Sequence, residues 1–158
     1  MIENIIKLRS KQAETMGSRS LFAEDAMISP SLVCSEASSD KVLQLLKKKH
    51  INTCIVVNRE KKLLGKINER DIIKLFLEQV KNEPIVRILN RGYRRKFSYL
   101  CAKDIMKKNK KSVNKKTPIN NVIEIIQKED FDYIPVLDDE KVAGVITPSS
   151  LINLLKNY

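Results

Sequence analysis

"GKINERD" at residues 65–71 and "GVITPSS" at residues 144–150 decide how this chain is read. Each starts at a glycine, passes through two strand-like residues to a polar junction and soon meets an apolar-periodic stretch, "IIKLFLEQV" after the first and "LINLL" after the second. That pattern predicts a strand turning directly into a helix. Asn68 or Thr147 stands at the junction, and Asp71 or Ser150 lies one turn in. Two such segments in one chain point to an internal repeat.

Working outward, the apolar positions of two long segments stay in step. Ala23, Asp25 and Met27 meet Ala102, Asp104 and Met106. After one extra residue in the second copy, Val33, Val42 and Val56 meet Val113, Val122 and Val136. After one extra residue in the first, Gly65, Ile67, Ile73 and Leu75 meet Gly144, Ile146, Ile152 and Leu154. Each copy predicts a short strand around Val33 or Val113, then a helix over Val42–Leu46 or Val122–Ile126. Ser38 and Ser39 signal the first helix start; Thr117, with Pro118 at the first helical position, signals the second. Two strands follow, "TCIVVN" and "LLGKIN" or "YIPVLD" and "VAGVIT", joined by the polar turns "REKK" and "DEK". The fold class is therefore α/β (α+β), two β-α-β-β-α units at 23–76 and 102–158. Residues 1–22 form an N-terminal helical extension with Ile2, Ile5 and Ile6 on one side, and 77–101 form a basic linker broken by Pro84 and Gly92.

Composition narrows the function. An apolar fraction of 42% supports a packed core and 31% charged residues support solubility. No stretch approaches a membrane span, and the start, with Glu3, does not fit a signal peptide, so a cytoplasmic location is expected. Cys34, Cys54 and Cys101 have neither metal-ligand nor disulfide-framework spacing; Cys34 and Cys54 fall in strand-like runs and are expected to be buried and inert. His50 is the only histidine and ends "LLKKKH", where a cation suits a helix C-terminus. There is no activated nucleophile, Gly-rich phosphate loop or metal cluster, so neither catalysis nor a catalytic cofactor is expected. The net charge of +11 is concentrated: residues 81–116 carry 13 basic and 2 acidic groups.

The duplicated order, the "YIPVLD" strand, the openings "AEDAM" and "AKDIM" and the paired "GKINERD" and "GVITPSS" together resemble a tandem pair of CBS domains, also called a Bateman module. The resemblance implies two units packed through their sheets with pseudo-twofold symmetry, leaving two clefts. It further implies an adenosine-containing ligand, AMP, ADP, ATP or S-adenosylmethionine, with a Thr/Ser and an Asp of the glycine-led motif on the ribose hydroxyls. Asn68 and Asp71 fill those places in the first copy, and Thr147 and Ser150 in the second. Each copy thus keeps half of the pair. A carboxylate accepts from both ribose hydroxyls with charge assistance, so the Asp71 cleft is the expected nucleoside site and the Thr147 cleft the weaker.

By the same resemblance, the adenine would pack near Leu32 and Val33 with Thr53 and Ile55, and near Ser112 and Val113 with Tyr133 and Pro135. Arg70 stands beside Asp71 and is a candidate for a phosphate, as are Lys110 and Lys111 in "KKNKKSVNKK". Helix capping accounts for Asn68, Thr147, Asp71 and Ser150 equally well, because a side chain three residues past the cap can reach back to it. The expected function is a non-catalytic regulatory module and homodimer that senses an adenosine compound and signals to a regulated protein. The alternatives are RNA binding through 87–116, where Arg91, Arg94, Arg95 and Lys96 interleave with Tyr93, Phe97 and Tyr99, and a ligand-free dimerisation module.

Overall fold

The computed structural model describes residues 20–49, 52–80, 100–109, 111–129 and 132–157. The expected N-terminal helix with Ile2, Ile5 and Ile6, His50, the Arg–aromatic stretch 91–99 and Lys110 lie outside the described residues. In the first unit, α1 (Ala23–Ala26) leads into β1 (Leu32–Cys34), α2 (Ser39–Lys49), β2 (Thr53–Val57), β3 (Leu63–Asn68) and α3 (Glu69–Val80). The second repeats this as α4 (Ala102–Ile105), β4 (Lys107–Lys108), β5 (Val113–Asn114), α5 (Ile119–Glu129), β6 (Ile134–Asp138), β7 (Lys141–Ile146) and α6 (Pro148–Lys156). The β-α-β-β-α order recurs in both copies, each time behind a one-turn helix.

Those one-turn helices explain the acid in "AEDAM" and "AKDIM". Asp25 accepts from the Phe22 backbone N–H, and Asp104 from that of Cys101, both at 2.9 Å. Each carboxylate reaches back three residues to an otherwise unpaired helix-start donor. Thr117 behaves differently from expectation. Its Oγ1 accepts from Asn114 N at 3.0 Å, closing the turn after β5, and α5 begins one residue past Pro118.

The two openings are exchanged between units. Ala102 and Ile105 of α4 are buried in the first unit's core with Val42, Cys54, Val56 and Ile67. Ala23 and Ala26 of α1 are buried in the second unit's core with Val122, Ile134, Val136 and Ile146. The backbone repeats the exchange: Ala102 N donates to Ala37 O and Ala23 N to Thr117 O, both at 2.8 Å. One sheet has the order β1-β2-β3-β4, so its edge strand comes from the second unit; the other is β5-β6-β7, with Ile28 bridged to Val145. Lys62 bridges Lys141, its own counterpart, so the pseudo-twofold axis runs beside that pair. Between the sheets lies a third apolar cluster of Ile55, Val57, Tyr133, Val142 and Val145.

The crossing explains the two glycines of the repeat. A Cβ at Gly144 would lie 2.8–3.0 Å from the Met27 side chain, which can rotate away; at Gly65 it would meet the backbone oxygen of Lys107 and stand 3.0 Å from Met106 Sδ. Gly65→Ala is therefore expected to cost about 1–3 kcal/mol, the usual range for overpacking. Gly144→Ala should cost less. Urea unfolding of both variants checks this, and equal losses would refute the backbone crossing. A second asymmetry has a simple cause: Ile55 N donates to Ser31 O at 2.8 Å, whereas its counterpart Pro135 has no N–H to offer, and β5 is shorter than β1.

Candidate functional site

The ends of the β2–β3 and β6–β7 hairpins away from their turns border a cleft of about 530 Å³. Thr53 and Tyr133, counterparts at the starts of β2 and β6, stand on it, with Asn52 and Asp132 beside them. Asn68, Glu69 and Arg70 from the start of α3 face Thr147, Pro148 and Ser149 from the start of α6. Ile55 and Val145 contribute from the strands, and Ile28, Ser29 and Ser31 from the segment before β1. The cleft is thus built by both units, but its entry segment comes from the first.

Both helix starts are capped. Ser150 N donates to Thr147 Oγ1 at 3.1 Å, and Thr147 N to Ser150 Oγ at 3.0 Å. Ser150 Oγ also donates to Thr147 O, so this buried hydroxyl serves the cap and does not line the cleft. Thr147 keeps its hydroxyl proton for donation. Asn68 Oδ1 accepts from Arg70 N at 3.0 Å, and its Nδ2 has no partner among the described residues.

Asp71 lies elsewhere. Its carboxylate, 12% exposed, accepts from Lys107 Nζ at 2.5 Å. Lys107 occupies the position that Ile28 holds in the first copy. The two sides of the module therefore differ: one has an acid closed by a lysine, the other a serine turned into its cap beside an open cleft. Of the residues singled out in the sequence, Thr53, Ile55, Asn68, Arg70, Tyr133 and Thr147 come together on the cleft. Leu32, Val33, Asp71, Ser112, Val113, Pro135 and Ser150 do not line it, nor does Lys111. Three of the run's six lysines pair within the fold: Lys107 with Asp71, Lys115 with Asp138 and Lys116 with Glu24.

Two lining groups carry an unmet demand. Ser31 Oγ and Tyr133 Oη are buried, each residue 7% exposed, and have no hydrogen-bond partner among the described residues. Burial pushes the Tyr133 phenol up, so it remains a donor. Lys66 Nζ sits 5.2 Å from the centroid of the same ring. Sequence reasoning named Tyr133 but missed Ser31, Asn52, Glu69 and Asp132, although Glu69 lies between two named residues and Ser31 and Asp132 adjoin them.

Neither a cysteine nor a histidine lines the cleft among the described residues. Burial pushes the Cys54 thiol up to about 11, out of reach of thiolate chemistry. Cys34 is half-buried rather than buried, and Cys101 Sγ donates to Asp104 at 2.8 Å. Among the described residues there is no cluster of three metal-ligating side chains and no helix long and apolar enough to cross a membrane.

The CBS domain family model matches residues 23–78 and 102–157. The A-adding tRNA nucleotidyltransferase of Aquifex aeolicus is 30% identical over 137 residues, 86% of this chain, yet the chain spans only 14% of that enzyme. Among solved structures, CBSX2 in complex with AMP superposes with a TM-score of 0.68 at 20% identity, covering 86% of this chain and 96% of that one. The CBS domain pair of protein MJ0100, in complex with 5-methylthioadenosine and S-adenosyl-L-methionine, gives 0.64 at 22% identity over 88% and 98%. With two matched segments spanning most of its length, the chain belongs to the CBS domain family, as a tandem pair.

Proposed function

We propose that this CBS pair is a non-catalytic regulatory module that binds an adenosine-containing compound in the cleft between its units. The observation that carries this reading is the pair of buried, unpartnered hydroxyls on Ser31 and Tyr133 at the cleft wall. A buried polar group without a partner is costly, and a base or ribose in the cleft would give either hydroxyl a partner on a small turn of its side chain. Ile55 and Val145 offer apolar surface for a purine, while Thr147 and Asn68 offer further donors. The adenosine compounds in the CBSX2 and MJ0100 structures support the ligand class. Exposed Ile73 and Leu77 on α3, with Ile152 and Leu155 on α6, form the face we assign to a second copy, which the mass of the particle in solution will decide.

Thermal unfolding against AMP, ADP, ATP and S-adenosylmethionine, with guanosine as control, tests the ligand. A compound at a hundredfold its dissociation constant adds about 2.7 kcal/mol, a rise of several degrees for a chain of this size. Tyr133→Phe and Ser31→Ala should leave the unliganded midpoint unchanged or higher, because each removes an unmet donor, while weakening the ligand about tenfold. If Asp71→Ala abolishes the rise and Tyr133→Phe does not, the ligand sits on the Asp71 side instead. No rise with any adenosine compound would sink the reading.

A further inference from the structure

The charges on the cleft wall select among adenosine compounds. Glu69 and Asp132 place two carboxylates there against the single guanidinium of Arg70. None of the three has an ion-pair partner among the described residues. This contrasts with Lys107, Lys115 and Lys116, whose charges are matched within the fold. The wall is not merely acidic, because α3 and α6, of 12 and 9 residues, both begin on it and present their positive ends. One anionic group would therefore be held by Arg70 and the helix starts, and one cationic group by Glu69 and Asp132. The same wall also carries the unpartnered Ser31 and Tyr133 hydroxyls, the independent sign that a ligand belongs there.

Resting on the ligand-binding reading above, we infer that the cleft prefers an adenosine compound with a zwitterionic 5′ substituent over an adenine polyphosphate, and that Glu69 and Asp132 set this preference. A triphosphate chain brings several negative charges toward two carboxylates that no described residue pairs with, and like charges brought together in one cleft oppose binding. A 5′ sulfonium or amine beside a carboxylate suits both halves of the wall. Lys107, Lys108, Lys111, Lys115 and Lys116 do not relieve the repulsion, because none of these described lysines lines the cleft.

The test is calorimetric titration of the full chain with S-adenosylmethionine, S-adenosylhomocysteine, AMP and ATP, on the wild type and on a Glu69→Gln, Asp132→Asn double variant. Both side chains are exposed, so the double variant should fold, and its unliganded melting midpoint verifies that. The wild type is expected to bind S-adenosylmethionine at least tenfold more tightly than ATP, and more tightly than S-adenosylhomocysteine, which lacks the sulfonium charge. The double variant should narrow the first ratio at least tenfold, mainly by binding ATP better. ATP binding as tightly as S-adenosylmethionine, or a ratio unmoved by the double variant, would overturn the inference and leave adenosine binding standing. No binding by any of the four would overturn both.

Discussion

Replacing Ile55 by alanine is expected to remove about 2–5 kcal/mol of stability, the range for emptying a packed aliphatic site. Ile55 is 2% exposed and belongs to the cluster that joins the two sheets, against Val57, Tyr133, Val142 and Val145. The upper part of the range applies because the site cannot collapse. Its backbone is fixed by pairing with Leu32 on one side and Lys66 on the other, and by the 2.8 Å bond from Ile55 N to Ser31 O. A domain with about 5–15 kcal/mol in total cannot lose this much unnoticed. Ile55→Val, which removes one methylene, should cost about 0.5–1.5 kcal/mol. Urea unfolding of the two variants decides the matter. A loss below about 1 kcal/mol for alanine would mean that the sheets do not pack through this face in solution. Because Ile55 also borders the cleft, the alanine variant should weaken any ligand held there, whereas the valine variant separates that effect from unfolding.

The element order was legible because apolar spacing survives even where identities do not. Val33, Val42 and Val56 keep the phase of Val113, Val122 and Val136, and a strand or helix needs nothing more to be read. Partnership is another matter. Nothing in the periodicity of "AEDAM" says that Ala23 and Ala26 are buried in the second unit, or that Ala102 and Ile105 complete the first. That is long-range information, and a window of neighbouring residues does not hold it. The same limit explains the site. Both half-motifs were visible, but their fates depended on what the exchange brought to them: Lys107 to Asp71, and Ile28 to the strand before Thr147. Capping, one of two readings open from the sequence, takes Ser150 entirely and Thr147 in part. Ser31 went unnoticed because its significance is an absence of partners, which only a three-dimensional arrangement defines.

The exchange has its largest consequence for the first unit alone. A fragment of residues 1–80 would lack Ala102 and Ile105 from its core and β4 from the edge of β3. It would also lose the bonds from Ser39 N to Leu100 O, Ala102 N to Ala37 O and Lys103 N to Ser35 O. Its own α1 would have no second unit to enter. A chain of this size buries too little surface to absorb such losses, so at low concentration the fragment is expected to show no cooperative thermal transition. The repeat supplies a specific rescue. Ala23 and Ala26 are the counterparts of Ala102 and Ile105, so a second copy of the fragment can insert its opening where α4 would have been. A cooperative transition should therefore appear as concentration rises, with a midpoint that moves with concentration, since folding is then linked to association. Co-expression with a fragment of residues 81–158 should restore it at lower concentration, because the native opening with Ile105 fills the core better than Ala26 can. A sharp transition in a monomeric fragment, independent of concentration, would show that each unit folds by itself. The exchanged helices would then be an ornament on two finished domains rather than the bond that makes them one.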